Sequence, residues 1–158
     1  MTDCVFGIVG KDFVLIASDR GVTRSVLKIQ DCDDKLTDLT TTQVLGTSGE
    51  VSDRKSFSKL IKGEGEYYFY RYNNRLSTTE ISNYTRSILA ENLRKGATPV
   101  NCLIAGFDNN EPSLYWLDYL GTLQKVTRGA QGYCGYFLGG LLDNYYKKVI
   151  YISHNYLS

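Results

Sequence analysis

The first twenty residues constrain this chain more than any other part of it. Cys4-Val-Phe-Gly-Ile-Val9 and Phe13-Val-Leu-Ile-Ala17 are apolar runs separated only by Gly10-Lys11-Asp12. Two short β-prone runs joined by a tight polar turn read as a hairpin. A strand with one wet face alternates apolar and polar residues, and these runs barely alternate. Both faces of the hairpin must therefore be covered. A sheet covered twice is an interior layer, so the rest of the chain has to supply what lies on either side.

At 158 residues the chain is one domain's length, and folding at that size buries roughly 70% of the surface the unfolded chain exposes. Lys35–Leu39 and Gln43–Thr47 form a second, weaker strand pair. After Gly49 the period changes: Val51, Phe57, Leu60 and Ile61 fall at helical spacing, and the helix continues toward Tyr72. Gly63 and Gly65 weaken its middle, and Asn73-Asn74 breaks it. Ser77-Thr78-Thr79-Glu80 is a capping box that starts the next helix. Its stripe is Ile81, Tyr84, Ile88, Leu89 and Leu93, and Lys95-Gly96 ends it. Strands return at Val100–Phe107, Leu114–Leu117 and Leu123–Val126, with turns at 108–112 and Gly121. The glycine-rich stretch Gly129–Gly135 leads into a last helix ending near Leu142-Asp143. Segregated strands and helices of this order indicate an α+β fold with antiparallel strands. The expected architecture is a four-layer α-β-β-α sandwich, one domain over 1–158, with no internal repeat or linker.

Charge and cysteine usage narrow the function. Eighteen basic and seventeen acidic residues leave a formal charge of +1. That gives no electrostatic reason to expect nucleic acid or an acidic membrane as partner. Cysteines at 4, 32, 102 and 134 have none of the short spacings of metal or redox motifs. They read as reduced, core-filling thiols of a cytosolic or nuclear protein, and no cofactor is implied. No stretch reads as a targeting segment, and the apolar runs are too short to span a bilayer.

Many of the thirteen tyrosines are expected half-buried, with the ring packed and the hydroxyl at a surface or an interface. Tyr67, Tyr68, Tyr70 and Tyr72 could stack bases, but near-neutral charge favours core or a protein interface. Asp31, Asp33, Asp34 and Asp38 lack the spacing and glutamate of a calcium loop and read as a solvated turn. His154, the single histidine, is expected solvated near the C-terminus.

Several landmarks then run in order along the chain: Gly7-Ile8, Val14-Leu15-Ile16-Ala17-Ser18-Asp19-Arg20, Asp33-Asp34-Lys35 and Gly49-Glu50. Val100-Asn101 with Leu103-Ile104-Ala105-Gly106, Asp118-Tyr119-Leu120-Gly121 and Leu141-Leu142-Asp143 before Tyr145-Tyr146 complete the set. Together, over about residues 4–147, they resemble the β subunits of the 20S proteasome, and within that family the non-catalytic branch at the fourth ring position. The resemblance implies the α-β-β-α sandwich of N-terminal-nucleophile hydrolases. It also implies partners, namely other β and α subunits in stacked seven-membered rings, a role in ubiquitin-dependent degradation, and a place in cytoplasm and nucleus. The chain stops about forty residues short of the family pattern. The resemblance implies that the last helix and strands are missing and that 148–158 is a divergent tail. An open edge is expected on the sheet that holds the N-terminal hairpin.

Active members of the family cleave peptides with an N-terminal threonine, whose own amine takes the hydroxyl proton. Removal of Met1 would make Thr2 that residue. The resemblance places Ser18 where active members have an aspartate. The adjacent Asp19 is expected on the opposite face of the strand. Lys35 matches the family's lysine, and Tyr133 falls on its serine, a bulky phenol in place of a small hydroxyl. Thr2, Ser18, Lys35 and Tyr133 therefore read as vestiges, with no catalytic residue expected. The expected function is a structural, non-catalytic subunit. The alternatives are an active peptidase built on Thr2 and Lys35, or a truncated fragment that enters no particle.

Overall fold

The structure is a computed structural model that describes residues 3–24 and 27–146. The N-terminal hairpin forms as its composition dictates, with β1 (Cys4–Val9) antiparallel to β2 (Val14–Ser18). The turn closes through the Gly10 N–H donating to the Phe13 carbonyl at 2.8 Å. On its other side β1 pairs with β10 (Arg128–Gly132), making a three-stranded sheet in the order β10-β1-β2. The second sheet has five antiparallel strands in sequence order: β5 (Leu36–Asp38), β6 (Gln43–Gly49), β7 (Val100–Asp108), β8 (Glu111–Leu117) and β9 (Leu123–Val126). A separate ribbon joins β3 (Val22–Arg24) to β4 (Leu27–Gln30). Helices α1 (Val51–Tyr72) and α2 (Thr78–Lys95) lie on one face of the five-stranded sheet. Helix α3 (Cys134–Tyr145) lies on the outer face of the three-stranded one. The layers are thus α1/α2, five strands, three strands, α3: the expected α-β-β-α sandwich.

Two cores follow from strand alternation. Along β7, Val100, Cys102 and Ile104 face the helices and meet Phe57, Ile61, Ile81 and Leu89. Leu103 and Ala105 face the other sheet and, with Leu114, meet Val5. The sheets and helices approach closely where glycine stands. A Cβ on Gly46 would lie 2.7 Å from Val5 Cγ1, and one on Gly106 would lie 1.9 Å from Thr78 Oγ1.

The structure departs from the sequence reading in identifiable places. Gly129–Gly132, expected only to lead into a helix, belongs to β10, because its backbone supplies the ladder that β1 needs on its second side. The ribbon β3–β4 carries no strong pattern and was not foreseen from the sequence. Asn109 and Asn110, at φ 52° and 63°, form the whole β7–β8 turn, so Pro112 lies inside β8 opposite Phe107. On α2 the buried face is Thr78, Ile81, Ser82, Thr85 and Leu89, whereas Tyr84 and Leu93 are exposed. The Ser82 and Thr85 hydroxyls donate to the Thr78 and Ile81 carbonyls at 2.6 and 2.7 Å, which satisfies them inside the core. Leu60 on α1 is exposed as well. Of the four cysteines only Cys102 fills core; Cys4 and Cys134 are half-buried and Cys32 is exposed.

Other expectations hold. The capping box is formed, with Glu80 N–H donating to Ser77 Oγ at 3.3 Å and Ser77 N–H donating to Glu80 Oε2 at 2.8 Å. The αL cap at Asn73 ends α1. Among the described residues β2 pairs only with β1, and the residues expected to bear on its free side lie outside them. His154 and the tail from 147 onward lie outside the described residues.

Two glycine substitutions should separate packing from propensity. Gly106→Ala drives a methyl into Thr78 and should cost about 1–3 kcal/mol. Gly63→Ala meets no atom within 4 Å on an exposed helical face and should stabilise by about 0.5–1 kcal/mol. Denaturant midpoints at unchanged slope measure both, and equal shifts of one sign would contradict the packing described.

Candidate functional site

Four segments converge beside the start of the chain: residue 3, the end of β2, the loop before β5, and the β6–α1 junction. Each contributes charge, and most of that charge is buried. Asp3, Asp33, Lys35 and Arg54 are all buried, Lys35 and Arg54 at 1% exposure each. Burial of an ion without a partner is prohibitive, so these residues must pair.

They do. Lys35 Nζ lies 2.7 Å from both Asp19 carboxylate oxygens, 2.9 Å from the Gly21 carbonyl and 3.0 Å from Asp3 Oδ1. An ammonium has three protons to donate, and these partners engage all of them. Asp3 Oδ2 accepts the Gly49 N–H at 3.0 Å and stands 3.6 Å from Arg54 Nε. Arg54 Nε donates to the Gly49 carbonyl at 2.9 Å, and its Nη2 meets Asp33 Oδ2 at 2.5 Å. Lys55 closes the chain of charges at 3.0 Å from Asp33 Oδ1. Every buried side-chain polar atom among the described residues has a partner.

Local sequence explains each position. Arg54 sits on the stripe Val51, Arg54, Phe57 and Ser58, Ile61 that faces the sheet, so its head is carried inward. Lys35 precedes β5, and its carbonyl accepts the Thr47 N–H at 3.0 Å, which fixes it against β6. Asp19 follows the last residue of β2 and is held by the Cys4 and Gly21 N–H groups at 2.8 and 3.0 Å.

Two carboxyls respond to this setting. Burial by itself would raise Asp19, but the Lys35 hydrogen bond, the Cys4 N–H and the Lys35 charge outweigh it and hold the group below the ordinary carboxylate value. Burial likewise opposes ionisation of Asp33, and the hydrogen bonds and charges of Arg54 and Lys55 bring it below that value.

The site residues named from sequence are dispersed in role. Thr2 lies outside the described residues. Ser18 ends β2 opposite Val5. Lys35 is at the centre of the cluster. Tyr133 lines an open cleft of about 750 Å³ together with Ser48, Gly49, Asn101, Gln131 and Tyr136. The Tyr133 N–H donates to the Asp3 carbonyl at 3.0 Å, which binds that cleft wall to the charge cluster. One expectation is overturned. Asp19 was placed on the far side of its strand, but β2 ends at Ser18 and alternation stops there, so Asp19 turns to Lys35. The acidic loop is corrected too, since Asp33 is buried against Arg54 rather than solvated.

Asp3 and Arg54 have no place in the sequence reading, and Gly49 enters it only as a landmark. The available signal was an arginine on the core-facing stripe of a helix, which requires a buried carboxylate within reach. Among the described residues no three His, Cys, Asp or Glu side chains gather to hold a metal ion.

The model of the family described as "Proteasome subunit" matches residues 2–153. The chain belongs to the proteasome subunit family. It is similar to proteasome subunit beta type-2 of Oryza sativa subsp. japonica, 40% identical over 92% of this chain and 69% of the relative. Proteasome subunit beta type-2-B of Arabidopsis thaliana is 38% identical over 92% and 73%. Proteasome subunit beta type-4 of Saccharomyces cerevisiae is 36% identical over 92% and 75%. These relatives place the chain with the β subunits of the family.

Because Asp19 and Asp33 are depressed in the folded chain, the stability they contribute is complete above about pH 4, the unfolded value, and is lost as pH falls through the lower folded values. The stability gap between wild type and Asp33→Asn should therefore be full at neutral pH and shrink below about pH 4. A gap that is unchanged across that range in denaturation series would show the charge of Asp33 to be irrelevant. At neutral pH, Asp3→Ala should cost about 3–5 kcal/mol, since it strips a counter-charge from two buried cations.

Proposed function

We propose that this chain is a non-catalytic, structural subunit of the β ring of the proteasome core, placed in cytoplasm and nucleus and serving ubiquitin-dependent degradation through its partners. The observation that carries the reading is the Asp3 carboxylate, seated on the Gly49 N–H and against Lys35. Acyl transfer needs donors aimed at the oxyanion that develops on the attacked carbonyl. The Gly49 N–H and the Lys35 ammonium are two donors beside residue 3, and both already bind carboxylates or a carbonyl. A fixed negative charge there also opposes a second one arriving on the substrate.

The surface supports a role in contacts. Helix α3 turns Tyr136, Phe137 and Tyr145 outward at 85%, 78% and 76% exposure. The end of α1 exposes Tyr67, Tyr70 and Tyr72 beside Arg71. Tyrosine and arginine are enriched where proteins meet one another. The near-neutral charge still argues for protein partners over nucleic acid.

A second reading, an active threonine peptidase, draws on one specific observation. Lys35 and Asp19 make the lysine–carboxylate pair that such a site uses to set its charge. N-terminal analysis separates the two, because a retained Met1 or an acetylated Thr2 blocks the base.

Affinity capture of the tagged chain from its own cells, followed by peptide mass spectrometry, tests ring membership. Recovery of a full set of α and β proteasome subunits in near-equal amounts is the expected result. Recovery of the chain alone, or with chaperones only, would sink the proposal and leave a fragment outside any particle as the better account.

A further inference from the structure

Two thiols outside the charge cluster sit side by side on the outer face of the three-stranded sheet. Cys4 opens β1 and pairs across the ladder with Gly132, the last residue of β10. Cys134 follows as the first residue of α3. Alternation carries Val5 into the space between the sheets, so Cys4 points the other way, toward the layer that holds α3. Cys134 Sγ lies 3.6 Å from the carbonyl of Val5, the residue next to Cys4, and 3.2 Å from the Gln131 carbonyl. Both thiols are free and half-buried, within reach of a small oxidant. Cys102 is enclosed in the helix-facing core, and Cys32 lies in the exposed part of the acidic loop.

We propose that Cys4 and Cys134 form a reversible redox modification site, closed to a disulfide by hydrogen peroxide, that fastens β1 to α3.

Cys4 keeps its proton firmly. Burial first, and then the hydrogen bond to its neighbour, raise it well above the ordinary thiol value. In the proposal the first step belongs to Cys134, the first residue of α3. Its sulfur attacks one peroxide oxygen, the O–O bond breaks, and the departing hydroxide takes the thiol proton as water, leaving a sulfenic acid. Cys4 then attacks that sulfur. The S–O bond breaks, and the second hydroxide leaves with the Cys4 proton as water. Two thiols lose two electrons to one peroxide, which is reduced to two waters. A small dithiol reverses the change by successive exchange at the two sulfurs. The closed bond ties the first strand to the last described helix, so it constrains the unfolded chain over nearly its whole described length. It also fixes the backbone one residue from Asp3.

The test uses the full chain as purified with its bound partners. The protein is treated with hydrogen peroxide, free thiols are alkylated, and the digest is mapped without reductant. The expected product is one cross-linked peptide pair containing Cys4 and Cys134. It should be absent from Cys4→Ser and from Cys134→Ser, and lost on treatment with dithiothreitol. Oxidised wild type should melt at a higher temperature than reduced wild type, with no such shift in either variant. In Cys4→Ser, the sulfenic acid on Cys134 should persist and be trapped by dimedone. Alkylation of both Cys4 and Cys134 after peroxide would overturn the proposal, as would over-oxidation of Cys134 without the cross-link, or a cross-link that includes Cys32.

Discussion

The carboxylate of Asp3 is the contact on which the rest of this molecule depends. It touches Lys35 from the loop before β5, the Gly49 N–H at the end of β6, and the guanidinium of Arg54 in the first turn of α1. Through the Asp3 carbonyl and the Tyr133 N–H it also meets the junction of β10 and α3. One residue thereby joins both sheets, the helix layer above one of them and the start of the helix below the other. Hydrophobic burial supplies most of the favourable free energy, but it is non-directional. The charge cluster adds registry: a buried Arg54 or Lys35 tolerates only the arrangement that brings its partners within reach.

The same contact shapes the functional reading. A hydrolase site keeps a donor unoccupied for the oxyanion and a base near its nucleophile. In this chain the Gly49 N–H and the Lys35 ammonium beside residue 3 are engaged by the protein itself, and Tyr133, which the resemblance sets on the family's serine, lines an open cleft. Lys35 and Asp19 remain together, yet the remaining Lys35 protons go to Gly21 and Asp3. A pair of this kind can persist for packing reasons once its chemistry is no longer used, because removing either member would leave the other buried and unpaired. Under the proposed function, that is how a structural subunit would keep part of a catalytic signature.

Much of this fold was legible in the sequence where a local pattern and the tertiary outcome coincide. The covered N-terminal hairpin, the capping box at Ser77 and the strand Val100–Phe107 each declare themselves within a few residues. Illegible elements are those whose reason lies elsewhere in the chain. The glycine-rich β10 has little side-chain pattern of its own and exists because β1 requires a second ladder. The buried face of α2 uses Thr78, Ser82 and Thr85, hydroxyls that satisfy themselves on backbone carbonyls and so pass for polar surface in a sequence. In the candidate site Lys35 was found by resemblance. Asp19 was misplaced, because alternation was carried one residue past the end of its strand. Asp33 looked like loop charge until Arg54, on the core stripe of α1, supplied the reason for its burial.

The central claim is that the charge cluster around Asp3 organises the fold, and the function proposed for the chain adds that it cleaves no peptide itself. Thr2→Ala in this chain, within particles captured from its own cells, tests it most directly through the cleavage rates of the particle on a panel of peptide substrates. The account predicts rates that match wild type on every substrate, with the subunit composition intact. Loss of cleavage for one substrate class in a fully assembled particle would contradict it and identify Thr2 as a catalytic residue.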